Sequence, residues 1–127
     1  FHGYTYSGHP LACAAAIATL DTYAEENLFD KAIELGDYWQ EGIHSLKGLP
    51  NVIDIRNYGL IGAIELAARP GAPGTRGYDA FNRAFNQGNL LTRVTGDTIA
   101  LSPPLIVEKS HIDRIFETLA DTLRATA

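Results

Sequence analysis

Residues 51–67, NVIDIRNYGLIGAIELA, decide the architecture. NVIDIRN alternates with the two-residue period of a strand, Tyr58-Gly59 offers a turn, and LIGAIELA follows as an antiparallel neighbour. Downstream, LLTRV (90–94) and TIALS (98–102) repeat the arrangement across Thr95-Gly96-Asp97, where Gly96 and Asp97 are expected only to shape the turn. Around these strands the apolar period becomes helical. Pro10 suits a first helical turn, and PLACAAAIATLDTYAEEN runs helically to about Asn27. Leu28, Ala32, Leu35, Trp39, Ile43 and Leu46 then recur at spacings of three and four, the apolar stripe of a second helix opposite Glu34, Asp37 and Glu41. Gly48 and Pro50 end it. Residues 69–77, with prolines at 70 and 73, read as loop. A helix from Tyr78 to about Gln87 is expected to carry Phe81, Ala84 and Phe85 on one side. After Pro103-Pro104, a last helix from about Lys109 to Arg124 turns Ile112, Ile115, Phe116, Leu119 and Leu123 inward. The expected fold class is α+β: a mainly antiparallel sheet of about four short strands with helices packed on one side. The first helix precedes the strands and ends in EEN, a joint between two bodies, so a domain boundary is expected near residues 26–30.

Composition limits what such a domain does. With 127 residues, 46% apolar and 20% charged, the chain can bury a core and is not of disordered type. No apolar run reaches the roughly 20 residues that cross a bilayer, and no basic start precedes an apolar stretch, so a cytoplasmic protein without membrane association is expected. A formal charge of −5, with ten scattered Lys and Arg, disfavours a nucleic-acid surface. Cys13, in an alanine-rich run, is read as a small packed residue. There is no Met in the sequence, and the chain is expected to be a piece of a longer protein.

The opening stretch FHGYTYSGHP sets the hydroxyls of Thr5 and Ser7 among turn formers, directly before a helix start. Such a place can hold an anion such as phosphate, although hydroxyls there also simply close turns or cap helices. His2 and His9 stand seven apart without Cys or carboxylate at ligand spacing. They are read as polar packing residues, and no metal site is expected.

Beyond this residue-by-residue reading, HGYTYSGHPLACAAAIATLD resembles the stretch that follows the catalytic lysine in the class III, pyridoxal phosphate-dependent aminotransferases. The likeness continues, in order, through RNYGLIGAIEL (56–66) and LLTRVTGDTIALSPPLIV (90–107). Within that family it is most similar to the omega-amino acid:pyruvate type, including beta-alanine:pyruvate transaminases. The resemblance implies the C-terminal part of a fold type I enzyme. Residues 1–27 would end the large cofactor-binding domain and form the interdomain helix, and residues 28–127 would form the small, α/β-type C-terminal domain.

The resemblance also implies roles. Thr5 would donate to the phosphate of pyridoxal 5′-phosphate, across a dimer interface and into the partner's active site. Arg93 would clamp the substrate carboxylate, since a guanidinium presents two parallel donors to two oxygens; read without the family, it is a strand-end salt bridge. Substrates would be a small amine or amino acid and pyruvate, and the parent a homodimer or tetramer. The Schiff-base lysine of the family lies upstream of the segment. Lys31, Lys47 and Lys109 do not match it and read as solvated charges, so the chain alone holds no catalytic residue and is expected to be inactive. Two rival readings stand beside this one. The parent could be an aminomutase, decarboxylase or racemase of the same superfamily, or the chain could be a non-catalytic α+β ligand-binding or dimerisation module.

Overall fold

The computed structural model describes residues 3–126. Five helices and four strands follow in the order α1 (Pro10–Glu25), α2 (Leu28–Glu34), α3 (Gly36–His44), β1 (Val52–Tyr58), β2 (Ile61–Leu66), α4 (Thr75–Gly88), β3 (Arg93–Thr95), β4 (Thr98–Leu101) and α5 (Lys109–Ala125). The strands form one antiparallel sheet in the order β1-β2-β4-β3. Each hairpin closes through a two-residue loop, Gly59-Leu60 and Gly96-Asp97. Both loops begin with a glycine at positive φ, 52° and 58°, where a Cβ would be strained.

The alternation seen in the sequence sorts the two faces of the sheet. Gly62, Ile64 and Leu66 of β2, with Ile99 and Leu101 of β4, are buried on the inner face. Against them pack Trp39 and Ile43 of α3, Ala80 of α4, and Ile112, Phe116, Leu119 and Leu123 of α5. Burying each large apolar side chain stabilises by about 1.5–3 kcal/mol, so this one cluster dominates stability. Gly62 lets α3 approach the sheet, because a Cβ there would stand 2.5 Å from Ile43 Cδ1. At the start of α5 the Glu108 backbone N–H donates to His111 Nδ1 at 3.2 Å, which helps to fix the first turn.

Several sequence expectations are corrected. The helix expected over Leu28–Leu46 is two helices, α2 and α3, jointed at Leu35, although the predicted stripe still faces inward, with Leu28, Trp39, Ile43 and Leu46 buried. Helix α4 starts at Thr75 rather than Tyr78. Its inward face is Gly77, Ala80 and Ala84, while Phe85 remains 50% exposed. Tyr78, Phe81 and Phe85 instead stack along the helix with centroids 6.3 and 6.4 Å apart. Cys13 is exposed, not packed, because α1 buries none of its residues. His9 is exposed as well, and His2 lies outside the described residues. Among the described residues no helix is long and apolar enough to cross a membrane.

Candidate substrate and cofactor site

Two sequence-derived candidates lie at opposite ends of the topology. Thr5 sits in a run of turns ahead of α1, where the Ser7 N–H donates to the Tyr4 carbonyl and the His9 N–H to the Tyr6 carbonyl, each at 3.2 Å. Thr5 is exposed, and among the described residues its hydroxyl and its N–H have no hydrogen-bond partner. The hydroxyl and backbone N–H groups of this turn lie just before the positive end of a sixteen-residue helix. Such a donor set suits a dianionic phosphate, so these residues fit the phosphate group of the implied cofactor.

Arg93 opens the edge strand β3. Residues alternate across a strand, so its side chain leaves the sheet on the outer face, away from the buried Ile99 row. The register places four residues in one cross-strand row on that face: Arg56, Ala63, Ala100 and Arg93. Two guanidinium-bearing positions therefore flank two small residues, at three strand spacings or about 14 Å. The two arginines differ in their bonding. Arg56 donates to Asp54 at 2.5 Å and to Glu65 at 3.0 Å, and these bonds, Asp54 first, raise its pKa above the ordinary arginine value. Arg93 makes no ion pair and no side-chain hydrogen bond among the described residues, so the salt-bridge reading finds no partner on this strand.

Beyond the Arg93↔Ala100 pair the two strands part, Thr92 and Leu101 no longer being paired, and the chain after β4 runs on into Pro103 and Pro104. The fork opens a cleft of about 570 Å³ bordered by Arg93, Thr92, Leu91, Ser102, Pro103 and, at its inner end, Trp39. The Trp39 indole N–H and the Thr92 hydroxyl are buried without a partner among the described residues. A cationic group thus borders a mostly apolar cleft, a composition suited to a small anionic molecule with an organic body. Sequence reasoning found Arg93 but gave Arg56 and Thr92 no part in the site and read Trp39 only as part of an apolar helix stripe. Alternation signals the side on which Arg56 lies; the shared row and the fork require the register.

The hairpin that carries Arg93 is anchored at its tip. Asp97 Oδ2 accepts from the Gly74 N–H at 2.6 Å and Oδ1 from the Gly77 N–H at 2.9 Å, while the Asp97 carbonyl accepts from the Leu66 N–H at 2.9 Å. The two amide bonds hold the carboxyl below its ordinary pKa, Gly74 contributing most and Gly77 next. Asp97 thereby satisfies amide N–H groups at the start of α4, which explains why that helix begins earlier than its own residues suggest. The sequence reading of Asp97 as a turn residue alone is therefore incomplete.

The two cavities bordered by Arg93 are not lined by Thr5, so the chain does not gather both candidates into one pocket. The three lysines are exposed; Lys109 Nζ lies 4.9 Å from the centroid of the Tyr38 ring.

Comparison with known proteins bears on what this arrangement serves. The family profile "Aminotransferase class-III" matches residues 1–123. An omega-aminotransferase of Caulobacter vibrioides is 58% identical over 123 residues, covering 97% of this chain and 28% of that protein. A beta-alanine–pyruvate aminotransferase of Pseudomonas aeruginosa is 43% identical over 126 residues, covering 99% of this chain and again 28% of the relative. The crystal structure of a thermostable omega transaminase six-fold mutant from Pseudomonas jessenii superposes with a TM-score of 0.89 at 36% identity, over 99% of this chain and 29% of that one. The chain thus spans somewhat more than a quarter of the length of these relatives. It belongs to the class-III aminotransferase family.

Proposed function

We propose that this chain is the C-terminal part of an aminotransferase that moves an amino group from an amine or omega-amino acid to pyruvate. The observation that carries the reading is the Arg93 guanidinium, projecting without an ion pair beside the fork cleft, in a chain 58% identical to an omega-aminotransferase. Class III aminotransferases use pyridoxal 5′-phosphate, which, when bound, supplies the carrier for the amino group. In this reading Thr5 donates its hydroxyl to the cofactor phosphate of the partner subunit, and Arg93 holds the carboxylate of the keto acid through two parallel bonds. The small side chains of Ala63 and Ala100 leave room over the sheet beside Arg93. For a donor without a carboxylate, Arg93 swings aside. The lysine that carries the cofactor belongs to the parent upstream, so the chain alone is inactive.

Residues 1–27 are assigned to the end of the large cofactor-binding domain and the interdomain helix, and 28–127 to the small C-terminal domain. In support, α1 is rich in apolar residues yet exposes Leu11, Ile17 and Leu20 by 74, 61 and 65%, as expected of a helix built to pack on another body. A homodimer or tetramer in the cytoplasm completes the proposal. The test is to assay the full-length parent with pyruvate and either beta-alanine or an arylalkyl amine. Cofactor-dependent formation of alanine is expected. Conversion of the donor without alanine would instead indicate an aminomutase, decarboxylase or racemase.

A further inference from the structure

We infer that Asp97 is the positioning residue for Arg93: its carboxylate fastens the tip of the β3–β4 hairpin to the start of α4 and so fixes the strand from which the guanidinium projects. The inference rests on the reading of Arg93 as the carboxylate clamp.

Strand β3 has only three residues and lies at the sheet edge, with a neighbour on one side alone. The Arg93 side chain contributes no hydrogen bond of its own among the described residues, so its placement comes from the backbone that bears it. That backbone is fixed at three places. Arg93, Val94 and Thr95 pair with Ala100, Ile99 and Thr98, which holds one edge of the strand. Val94 points inward toward Gly77 of α4, where a Cβ would stand 3.1 Å from Val94 Cγ2. At the tip, the two Asp97 oxygens take the Gly74 and Gly77 amides, and the Asp97 carbonyl takes the Leu66 amide of β2. A single residue thus joins the hairpin, the helix and the central strand.

Gly77 matches the tether from the helix side. An added Cβ would lie 2.4 Å from the Gly96 carbonyl oxygen and 2.9 Å from Asp97 Cα, so any larger residue would push the loop away. The loop and the helix start are therefore shaped for each other, and Asp97 is four residues from the guanidinium it would place. A bidentate clamp is sensitive to such placement: a shift of about 1 Å in a positioning group can cost up to about a hundredfold in rate.

The experiment uses the full-length, cofactor-loaded parent with four variants: Asp97→Asn, Asp97→Ala, Gly77→Ala and, as control, Arg93→Ala. Steady-state kinetics with pyruvate, the single-turnover rate with an amine donor that lacks a carboxylate, and hydrogen exchange at the Gly74 and Gly77 amides are measured for each. Asp97→Ala should raise the KM for pyruvate about tenfold, with kcat at saturating pyruvate and the amine half-reaction within about twofold of the parent. Asp97→Asn keeps one acceptor oxygen and should fall between the two. Gly77→Ala keeps the Asp97 carboxylate but pushes the loop that bears it away from the helix, and should reproduce the selective rise in KM. Exchange at Gly77 should accelerate in Asp97→Ala, a readout independent of turnover. An unchanged KM in folded Asp97→Asn and Gly77→Ala, alongside a raised KM in Arg93→Ala, would overturn the tether and leave the clamp standing. Equal loss in both half-reactions would show Asp97 to be merely structural. An unaltered KM in Arg93→Ala would remove the clamp itself and the inference with it.

Discussion

Trp39 meets Phe116 edge-on, with ring centroids 4.9 Å apart and planes at 62°, and this pair locks α3 to α5 over the inner face of the sheet. Gly42 makes the approach possible, since a Cβ there would fall 2.4 Å from Phe116 Cδ2 and 2.6 Å from Cε2. Two effects compete in Gly42→Ala. Alanine is the better helix former by about 1 kcal/mol, whereas overpacking a filled core costs about 1–3 kcal/mol. The atoms met belong to the Phe116 ring, which is 6% exposed and packed edge-on against Trp39, so overpacking is expected to outweigh the helix preference. Gly42→Ala should lower the melting temperature by several degrees, while Gly36→Ala, with no atom within 4 Å of the added Cβ, should leave it unchanged or raised. Thermal denaturation of both variants checks the sign.

The Asp97 carboxyl gives a pH prediction. Its folded pKa is lowered, chiefly by the Gly74 and Gly77 amides. A lowered carboxyl stabilises the fold at pH above its unfolded value, and that contribution is lost as pH falls through the folded value. Stability of the wild-type chain should therefore decline on acidification below the ordinary carboxylate range. In Asp97→Asn the same acid range should show a shallower decline, because this group no longer titrates. Chemical denaturation across pH 2–7 compares the slopes, and identical slopes would remove Asp97 as a source of the acid sensitivity.

How far the sequence reaches is visible at this same residue. The strands of the first hairpin, the last helix and its inward residues were legible, because each rests on a local period. The start of α4 was not, since its cap is a carboxylate twenty to twenty-three residues away, which no window of neighbours can show. The facing of α4 was misjudged for a different reason. Hydrophobic bulk pointed to Phe81 and Phe85, but close approach to the Gly96-Asp97 loop demands small residues, and Gly77, Ala80 and Ala84 supply them. The joint at Leu35 leaves the apolar stripe unbroken, so periodicity alone read two helices as one. Arg93 was legible as a residue and as a resemblance. Its place in a row with Arg56, and at the fork where β3 and β4 part, depends on strand register.

Thr5 is testable in the parent by cofactor retention. Loss of one hydroxyl donor to a charged acceptor should weaken binding by about 1–3 kcal/mol. Dialysis of Thr5→Ala against cofactor-free buffer should release pyridoxal 5′-phosphate faster than wild type. Ser7→Ala serves as comparison and should lose less. Unchanged retention in Thr5→Ala would end the role proposed for it.

The isolated chain provides a check on the proposed domain division. Helix α1 buries no residue, whereas α5 buries five. The backbone N–H groups of α1 after Pro10 should therefore exchange much faster than those of α5 in the isolated chain. Comparable protection in both helices of a monomer would contradict the assignment of residues 1–27 to another body.

The central claim is that Arg93 recognises the keto-acid carboxylate, and half-reaction kinetics of the full-length parent test it most directly. Arg93→Lys keeps the charge and loses the fork; Arg93→Ala loses both. Turnover of pyruvate should fall in that order, by about tenfold or more for alanine, given about 1.5–3 kcal/mol for hydrogen bonds to a charged group. The single-turnover reaction with an amine that has no carboxylate should stay within about twofold of wild type. That selective loss is the result the account predicts. Equal impairment of the amine and keto-acid half-reactions, in a folded and cofactor-loaded Arg93→Ala enzyme, would contradict it.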